Sequence, residues 1–134
     1  MIIGIDFDGT CVTHEYPKVG KDIGAVPVLK KLIEAGHQLI LFTMRSDKSG
    51  ISPITGEMEN GGLQDAVHWF QNWNIPLFGV NVNPDQHEWT SSPKAWCHLF
   101  IDDTSLGIPL IYDLKKPYVD WDIVYEMLIN REIL

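Results

Sequence analysis

The sequence predicts an α/β fold in which a mostly parallel β-sheet packs against helices. Short apolar runs alternate along the chain with stretches of helical period, which is the pattern of a βαβ protein. The run at residues 39–43 is apolar almost throughout, as expected of a strand covered on both faces. With 134 residues, 45% of them hydrophobic, the chain can bury one core. We therefore expect a single domain over residues 1–134.

The first part of the chain is expected to supply two strands and one helix. Residues 2–6 form the predicted first strand and residues 39–43 the second. Between them, residues 23–35 have a helical period, with Asp22 as the expected N-cap and Gly36 as the C-terminal stop. This order favours parallel pairing of the two strands.

A polar segment separates these elements from the next helix. Residues 46–62 are rich in Ser, Gly, Pro, Asp and Asn and show no useful period, so they predict a long surface loop. A second helix is expected over residues 63–73 and a third strand over residues 78–82. Residues 84–95 are irregular and predict a turn or a short helix.

The last part of the chain is expected to complete a five-stranded sheet. Residues 99–102 form the predicted fourth strand and residues 108–112 the fifth, which Pro109 places at an edge of the sheet. A final helix is expected over residues 118–133. Its residues expected to face the core are Val124, Met127 and Leu128.

The acidic charge of the chain disfavours several classes of partner. The formal net charge is −8, whereas binding to a polyanion requires clustered Lys and Arg. Nucleic acid is therefore an unlikely partner.

No stretch approaches the roughly 18 uncharged apolar residues of a membrane span, and the first residues lack the pattern of a signal peptide. We expect a cytoplasmic protein with no membrane contact.

Cysteine and histidine usage argues against a zinc site. Cys11 and Cys97 are too few for a disulfide framework or a Cys-rich zinc site, and we expect buried or partly buried thiols. A redox-sensitive role for Cys11, which lies beside an acidic motif, stays open. The five histidines, at positions 14, 37, 68, 87 and 98, lack the spacing of zinc ligands. A zinc-dependent hydrolase is therefore disfavoured.

The strongest chemical signal is Asp6-Phe7-Asp8-Gly9-Thr10, at the end of the first strand. The two-residue period of a strand puts the carboxylates of Asp6 and Asp8 on the same side. Ligands of open α/β sheets bind outside the carboxyl ends of the strands, so a reactive pair belongs at this position. Gly9 allows the chain to turn sharply just past it.

A second acidic pair, Asp102 and Asp103, ends the predicted fourth strand. Either pair alone has an ordinary structural reading as a turn or a helix cap, but together they predict four carboxylates at one edge of the sheet. Two unit charges about 4 Å apart repel by about 4 kcal/mol at an effective dielectric near 20, so a cation is needed there. Ligands that are all oxygen suit Mg²⁺.

Two further residues fit the same edge. Thr43 ends the second strand, where its hydroxyl can hydrogen-bond a phosphoryl oxygen, and Lys94 lies a few residues before the fourth strand. A strand-terminal Thr and a loop Lys are common, so neither residue is informative alone.

This set of residues resembles the motifs of the haloacid dehalogenase (HAD) superfamily of phosphatases, over nearly the whole chain. The resembling segments are Asp6-Phe7-Asp8-Gly9-Thr10 for the first motif, Leu41-Phe42-Thr43 for the second, Lys94 (with Lys48 as a substitute) for the third and Ile101-Asp102-Asp103 for the fourth. The resemblance implies a three-layer, Rossmann-like (HAD-like) domain with a mostly parallel five-stranded sheet.

The resemblance also implies a reaction, phosphomonoester hydrolysis. Asp6 would attack phosphorus to form an aspartyl-phosphate, while Asp8 would protonate the leaving oxygen and later activate water. Thr43 and Lys94 complete the implied catalytic set. Asp8 must then hold a proton near neutral pH, and we expect the surrounding carboxylates to favour that form.

A metal site and a phosphate site follow from the same resemblance. Mg²⁺ would be held by Asp6, the Asp8 carbonyl and Asp102, with Asp103 as a ligand or a neighbour of the ligands. The residues expected to contact the substrate phosphate are Gly9, Thr10, Thr43, Met44, Arg45 and Lys94.

Many HAD relatives carry a cap domain, and this sequence has no room for one. Residues 10–22 suffice only for a hairpin, which we call the flap, and residues 83–93 for a short connection. A capless phosphatase has an open site, so water exclusion would depend on the flap, on residues 46–62 or on a neighbouring subunit. The expected partner is a small-molecule or macromolecular phosphomonoester, and homo-oligomerisation is left open.

Two alternatives remain at this point. A receiver-like signalling domain also has an acidic Mg²⁺ pocket, but its phosphorylated Asp ends the third strand, where this chain has Asn81-Val82-Asn83. A HAD-like protein that binds a phosphorylated ligand without cleaving it is the second alternative, and intact Asp6 and Asp8 argue against it.

Overall fold

Four parallel strands form the central sheet of the computed structural model, which describes residues 1–48, 50–51 and 53–134. The strands are β1 (Ile2–Ile5), β2 (Gln38–Leu41), β3 (Gly50–Ile51), β4 (Met58–Glu59), β5 (Gly79–Val80), β6 (Leu99–Ile101), β7 (Leu110–Ile111) and β8 (Tyr118–Val119). The helices are α1 (Ala25–Glu34), α2 (Leu63–Asn72) and α3 (Trp121–Asn130), with a short 3₁₀ turn at Gln86–Glu88. The order in the central sheet is β5-β2-β1-β6.

The register of the sheet brings the carboxyl ends of β1, β2 and β6 level with one another. Ile5 pairs with Leu41 on one side and with Ile101 on the other. The amide of Asp6 continues this pairing by donating to the Ile101 carbonyl at 3.1 Å. The residues that follow β1 and β6 therefore leave the sheet at the same edge, as the sequence predicted.

The core is built from residues of both faces of the sheet. Leu39, Ile40 and Leu41 are all fully buried, so β2 is covered on both sides as predicted. Leu29 and Leu32 of α1 are fully buried too. Gly36, in the left-handed region at φ 90°, donates to the Ile33 carbonyl and ends α1 where the sequence predicted a stop.

The prediction of a fifth strand in this sheet is wrong. Residues 110–111 pair instead with residues 118–119 in a separate antiparallel ribbon, so among the described residues the central sheet has four strands. The ribbon is held over the end of β1 because the Val119 amide donates to the Gly9 carbonyl at 2.9 Å. Since residues 118–119 form β8, the final helix begins at Trp121 rather than at 118.

Four local expectations also need correction. Residues 46–62, here called the arm, are not a plain loop, because they contain the β3–β4 hairpin. Gly24 rather than Asp22 precedes α1, and Asp22 accepts a hydrogen bond from the Gly24 amide instead. Met127 does not face the core, since 39% of its surface is exposed. The third strand is short because Asn81 adopts a left-handed conformation directly after β5.

The two thiols are placed as the composition suggested. Cys11 is fully buried and Cys97 is partly buried. Burial raises the pKa of the Cys11 thiol well above its usual range, so this group stays protonated at neutral pH.

None of the helices in the described parts of the chain combines the length and apolar character of a membrane span.

The start of α3 yields the first prediction. The Asp120 carboxylate caps this helix by accepting from the amides of Asp122 and Ile123 at 3.1 and 3.3 Å. Asp120→Ala should lower the free energy of unfolding by about 1 kcal/mol, because two amides lose their acceptor. Urea denaturation measures this effect. Glu126→Ala, an exposed change within the same helix, serves as the control, and equal stability of the two variants would contradict the capping role.

Candidate active site

Three carboxylates meet at the carboxyl edge of the sheet. Asp6, Asp102 and Asp103 each offer an oxygen atom, and these atoms all lie within 4.8 Å of one another. Asp6 follows β1 and the other two follow β6, so the parallel register brings them together. The predicted convergence of the strand-one and strand-four aspartates is confirmed for these three residues. The Asp8 carboxylate is not part of this group.

Thr10 connects the carboxylates to one another. Its buried hydroxyl donates to Asp6 Oδ2 at 2.9 Å and accepts from the Asp103 amide at 3.0 Å. Its carbonyl accepts from Trp121 Nε1 at 2.6 Å, which anchors the turn to α3. The Thr10 hydroxyl therefore positions carboxylates, and the prediction that Thr10 contacts phosphate is not supported by this arrangement.

The environment of Asp6 opposes its negative charge. The pKa of Asp6 is raised from 3.8 to about 8, mainly by burial and further by a hydrogen bond with Asp103 and the charge of Asp102. Hydrogen bonds from the Thr10 hydroxyl and the Phe7 amide act in the opposite direction but are weaker. A cation bound among these oxygens would reverse the balance, because it stabilises the carboxylate.

Asp8 is paired with Arg45 rather than with the other carboxylates. Arg45 Nε donates to Asp8 Oδ2 and Arg45 Nη2 to Asp8 Oδ1, both at 2.8 Å. This bidentate pair corrects the expectation that carboxylates surround Asp8, because its nearest charged partner is a cation.

All five N–H donors of the Arg45 guanidinium are used within the protein. Beyond its two bonds to Asp8, Nη1 donates to the carbonyls of Pro17 and Gly62, and Nη2 donates to the carbonyl of Lys18. The group lies between the rings of Phe7 and Tyr16, with its central carbon 5.1 and 5.0 Å from the ring centroids.

Arg45 is therefore a buried structural link and not an exposed phosphate contact. Only 3% of its surface is exposed. In this conformation it has no donor left for a phosphate, so this arrangement does not support the prediction that Arg45 contacts the substrate phosphate.

The flap folds back over the end of β1. Val12 forms an antiparallel bridge with Asp22, and the Thr13 amide donates to the Lys21 carbonyl at 3.0 Å. The predicted hairpin in residues 10–22 is confirmed. Since Arg45 binds the carbonyls of Pro17 and Lys18, the tip of the flap is fixed beside Asp8.

The flap also places His14 against the acidic cluster. His14 Nε2 lies 2.7 Å from Asp103 Oδ2. Gly9 makes room for this contact, because a Cβ at this position would collide with His14 Nε2 and lie 2.6 Å from Asp103 Oδ2. Gly9 also needs its left-handed φ of 79°. Its amide donates to the Val12 carbonyl at 2.7 Å, so it is not free to bind a phosphate.

Thr43 and Met44 lie in the segment that follows β2. Thr43 follows β2 as expected, with its amide bound to Asn81 Oδ1 at 2.8 Å and its hydroxyl accepting from the Arg45 amide. Met44, directly next to it, is 97% exposed.

The structure does not bring Lys94 to the acidic cluster. Lys94 is exposed, and among the described residues no lysine forms an ion pair with the three carboxylates. The amide of His98, just before β6, donates to the Ile2 carbonyl at 2.8 Å, so the chain enters β6 at the edge opposite the acidic cluster. The substitute, Lys48, is exposed on the arm.

Sequence reasoning missed His14 and the role of Arg45. His14 carries no spacing signal, because its partner Asp103 is 89 residues away in the sequence. The position of Arg45 directly after the second strand did place it at the correct edge, but only the fold shows that it faces inward.

A cavity of about 660 Å³ lies elsewhere, between α2 and β5, and Val67, Phe70 and Leu77 are among its lining residues. Its lining is mostly apolar and contains none of the acidic residues. We therefore locate the candidate site from the carboxylates and not from cavity size.

Comparison with known proteins supports the fold. A solved structure, described as that of a conserved protein coded by a locus of Bacteroides thetaiotaomicron, is 34% identical in sequence and superposes with a TM-score of 0.73. The match covers 98% of this chain and 91% of the Bacteroides protein. The chain belongs to the same family as that protein. No protein-family model matches the chain, and a search of curated proteins finds no match.

The Arg45 contacts predict a large loss of stability on a conservative change. Arg45→Lys keeps the charge but cannot reach Asp8 and the three carbonyls at once, so buried acceptors lose their donors. We expect the free energy of unfolding to fall by at least about 2 kcal/mol, measured by urea denaturation. Lys48→Gln, at an exposed lysine of the arm, should change it by no more than roughly 0.5 kcal/mol. A wild-type midpoint for Arg45→Lys would contradict the linking role.

The raised pKa of Asp6 predicts a specific dependence of stability on pH. Between about pH 4 and pH 8 the folded state keeps a proton that the unfolded state has lost, so stability falls as the pH rises through this range. Asp6→Asn has no such proton.

With EDTA present, the stability of the wild type relative to Asp6→Asn should therefore fall by at least about 2 kcal/mol from pH 5 to pH 8. Urea denaturation at the two pH values provides the measurement, and Asp65→Asn, at an exposed position in α2, is the matched control. A difference that does not change with pH would contradict the raised pKa.

Proposed function

We propose that this protein is a Mg²⁺-dependent phosphomonoesterase of the capless HAD type, in which Asp6 is the nucleophile. The observation that supports this most is the cluster of Asp6, Asp102 and Asp103 at the carboxyl edge of a parallel sheet. A parallel α/β sheet binds ligands at this edge. The motif resemblance at Asp6-Phe7-Asp8-Gly9-Thr10 and at Ile101-Asp102-Asp103 supports the same reading.

The donor set fits Mg²⁺. The three residues offer only carboxylate oxygens, which all lie within 4.8 Å of one another, and an all-oxygen donor set of this kind would suit Mg²⁺. The backbone carbonyl of Asp8 is the further ligand that the motif resemblance implies. When bound, Mg²⁺ would neutralise the negative charge of a phosphoryl group and of the carboxylates beside it.

Asp6 performs the covalent step. One of its carboxylate oxygens attacks phosphorus in line with the ester bond, a new O–P bond forms, and the bond to the leaving oxygen breaks. Asp6 Oδ2 is held by the Thr10 hydroxyl at 2.9 Å, which limits rotation of the side chain and leaves Oδ1 to react. Water then hydrolyses the aspartyl-phosphate and releases inorganic phosphate.

Asp8 carries out the proton transfers, and Arg45 orients it. Paired with the guanidinium, the Asp8 carboxylate is suited to the second step, in which it accepts a proton from the attacking water. In the first step it must donate a proton to the leaving oxygen.

Thr43 is retained as a phosphate contact, whereas Lys94 is not. Thr43 follows β2, which pairs with β1, so Thr43 and Asp6 lie at the same edge of the sheet. Lys94 is remote from the cluster, so in this arrangement its side chain does not neutralise the phosphate.

A protein that binds a phosphate group without turnover is the second candidate. Two observations favour it: Arg45 holds both oxygens of Asp8, and among the described residues no lysine pairs with the carboxylates. Such a protein would bind inorganic phosphate with Mg²⁺ but would not release phosphate from any ester.

The test is a panel of phosphate esters assayed for phosphate release with Mg²⁺ and with EDTA. We expect release only with Mg²⁺, and Asp6→Asn should lower kcat by at least roughly a thousandfold, because the nucleophile is lost. Asp65→Asn is the matched control and should retain activity. Phosphate release that survives Asp6→Asn would overturn the mechanism, and binding of phosphate without any release would favour the second candidate.

A further inference from the structure

His14 is the contact of the acidic cluster that the proposed mechanism does not use. It lies on the flap, next to Thr13, whose amide and hydroxyl both bond to Lys21 across the hairpin. The His14 side chain is 24% exposed and that of its partner Asp103 is 9% exposed. The contact therefore lies at the boundary between solvent and the carboxylates.

The hydrogen bond has a defined direction. Because a carboxylate only accepts, Nε2 of His14 carries the hydrogen and donates to Asp103 Oδ2 at 2.7 Å. The Asp103 amide is held at the same time by the Thr10 hydroxyl. With its backbone and Oδ2 both fixed, Asp103 keeps Oδ1 turned toward the Thr10 hydroxyl at 3.5 Å, on the side of Asp6.

We propose that His14 is a positioning residue that joins the flap to the metal-binding carboxylates, so that binding of Mg²⁺ and closure of the flap support each other. This inference rests on the proposed metal site. Residues that orient metal ligands through hydrogen bonds commonly contribute roughly 10-fold to 100-fold to metal affinity. By linkage, a residue that holds the flap to the ligands also lets the bound metal stabilise the flap.

Two features make this contact a functional link and not a general support of the fold. Gly9 is the residue beneath the pair, and any side chain there would displace His14 from Asp103. The tip of the flap is fixed separately by the bonds of Arg45 to Pro17 and Lys18. Loss of the His14 side chain should therefore leave a folded protein with a free Asp103 carboxylate.

The first test measures the affinity for Mg²⁺ alone by isothermal titration calorimetry. His14→Ala should bind Mg²⁺ at least roughly 10-fold more weakly than the wild type, because Asp103 loses its orienting donor. His14→Gln should restore most of the affinity, since its amide nitrogen reaches about as far as Nε2. His14→Asn should not, because its amide is too short. His68→Ala, an exposed histidine of α2, is the matched control.

The second test follows the flap itself by limited trypsin digestion. Lys18 and Lys21 are exposed on the flap, but their carbonyls accept hydrogen bonds from Arg45 and from the Thr13 amide, so cleavage after them requires the flap to open locally. Mg²⁺ should slow this cleavage in the wild type and in His14→Gln but not in His14→Ala or His14→Asn. Mass spectrometry of the fragments separates these cuts from those at other lysines.

The outcomes of the two tests distinguish the role of His14 from the proposed metal site. If wild-type protein binds Mg²⁺, Asp6→Asn abolishes the binding and His14→Ala equals the wild type in both measurements, the role of His14 is overturned while the metal site stands. If the wild type does not bind Mg²⁺, both proposals are overturned. Weaker binding and lost protection in His14→Ala, with rescue by His14→Gln, support the coupling.

Discussion

One buried guanidinium holds together the elements on which the candidate site depends. Arg45, in the loop that follows the second strand of the sheet, bonds to Asp8 after β1, to the flap at Pro17 and Lys18, and to Gly62 before α2. These segments are separated in sequence, and fixing each of them costs conformational entropy. The hydrogen bonds that they all make to Arg45 offset this cost. A lysine could not substitute, because only the planar fork of arginine serves five acceptors at fixed directions.

The same edge of the sheet concentrates negative charge that the protein does not neutralise internally. Arg45 is matched to Asp8. Among the residues that the structure describes, no Lys or Arg forms an ion pair with Asp6, Asp102 or Asp103, and the imidazole of His14 contacts only Asp103. Each close pair of unit charges costs on the order of 1 kcal/mol in water and several times more in a partly buried site. Burial is the main cause of the raised pKa of Asp6, and the neighbouring charge of Asp102 adds to it. A bound cation would relieve the repulsion among these carboxylates, and this is the physical basis of the proposed metal dependence.

The sequence predicted the parts of the fold that depend on local pattern. The apolar runs located the four strands of the central sheet, and their parallel order follows from the helices between them. The strand at residues 108–112 was assigned to the wrong sheet, because an apolar run shows that a strand forms but not which strand it pairs with. The arm was assigned as loop because two-residue strands are too short to show a period.

For the site, the residues at strand ends were predictable and the contacts between distant residues were not. A carboxylate that follows an apolar strand of a parallel sheet must lie at the ligand-binding edge, so Asp6, Asp102 and Asp103 could be found from the sequence by itself. Three features of the site were decided only by the tertiary structure. Arg45 points inward to Asp8, His14 lies against Asp103 over Gly9, and Lys94 lies away from the acidic cluster. The physical reason is that strand position follows from hydrophobic pattern over a few residues, whereas a hydrogen bond between residues 14 and 103 exists only after the whole chain has packed.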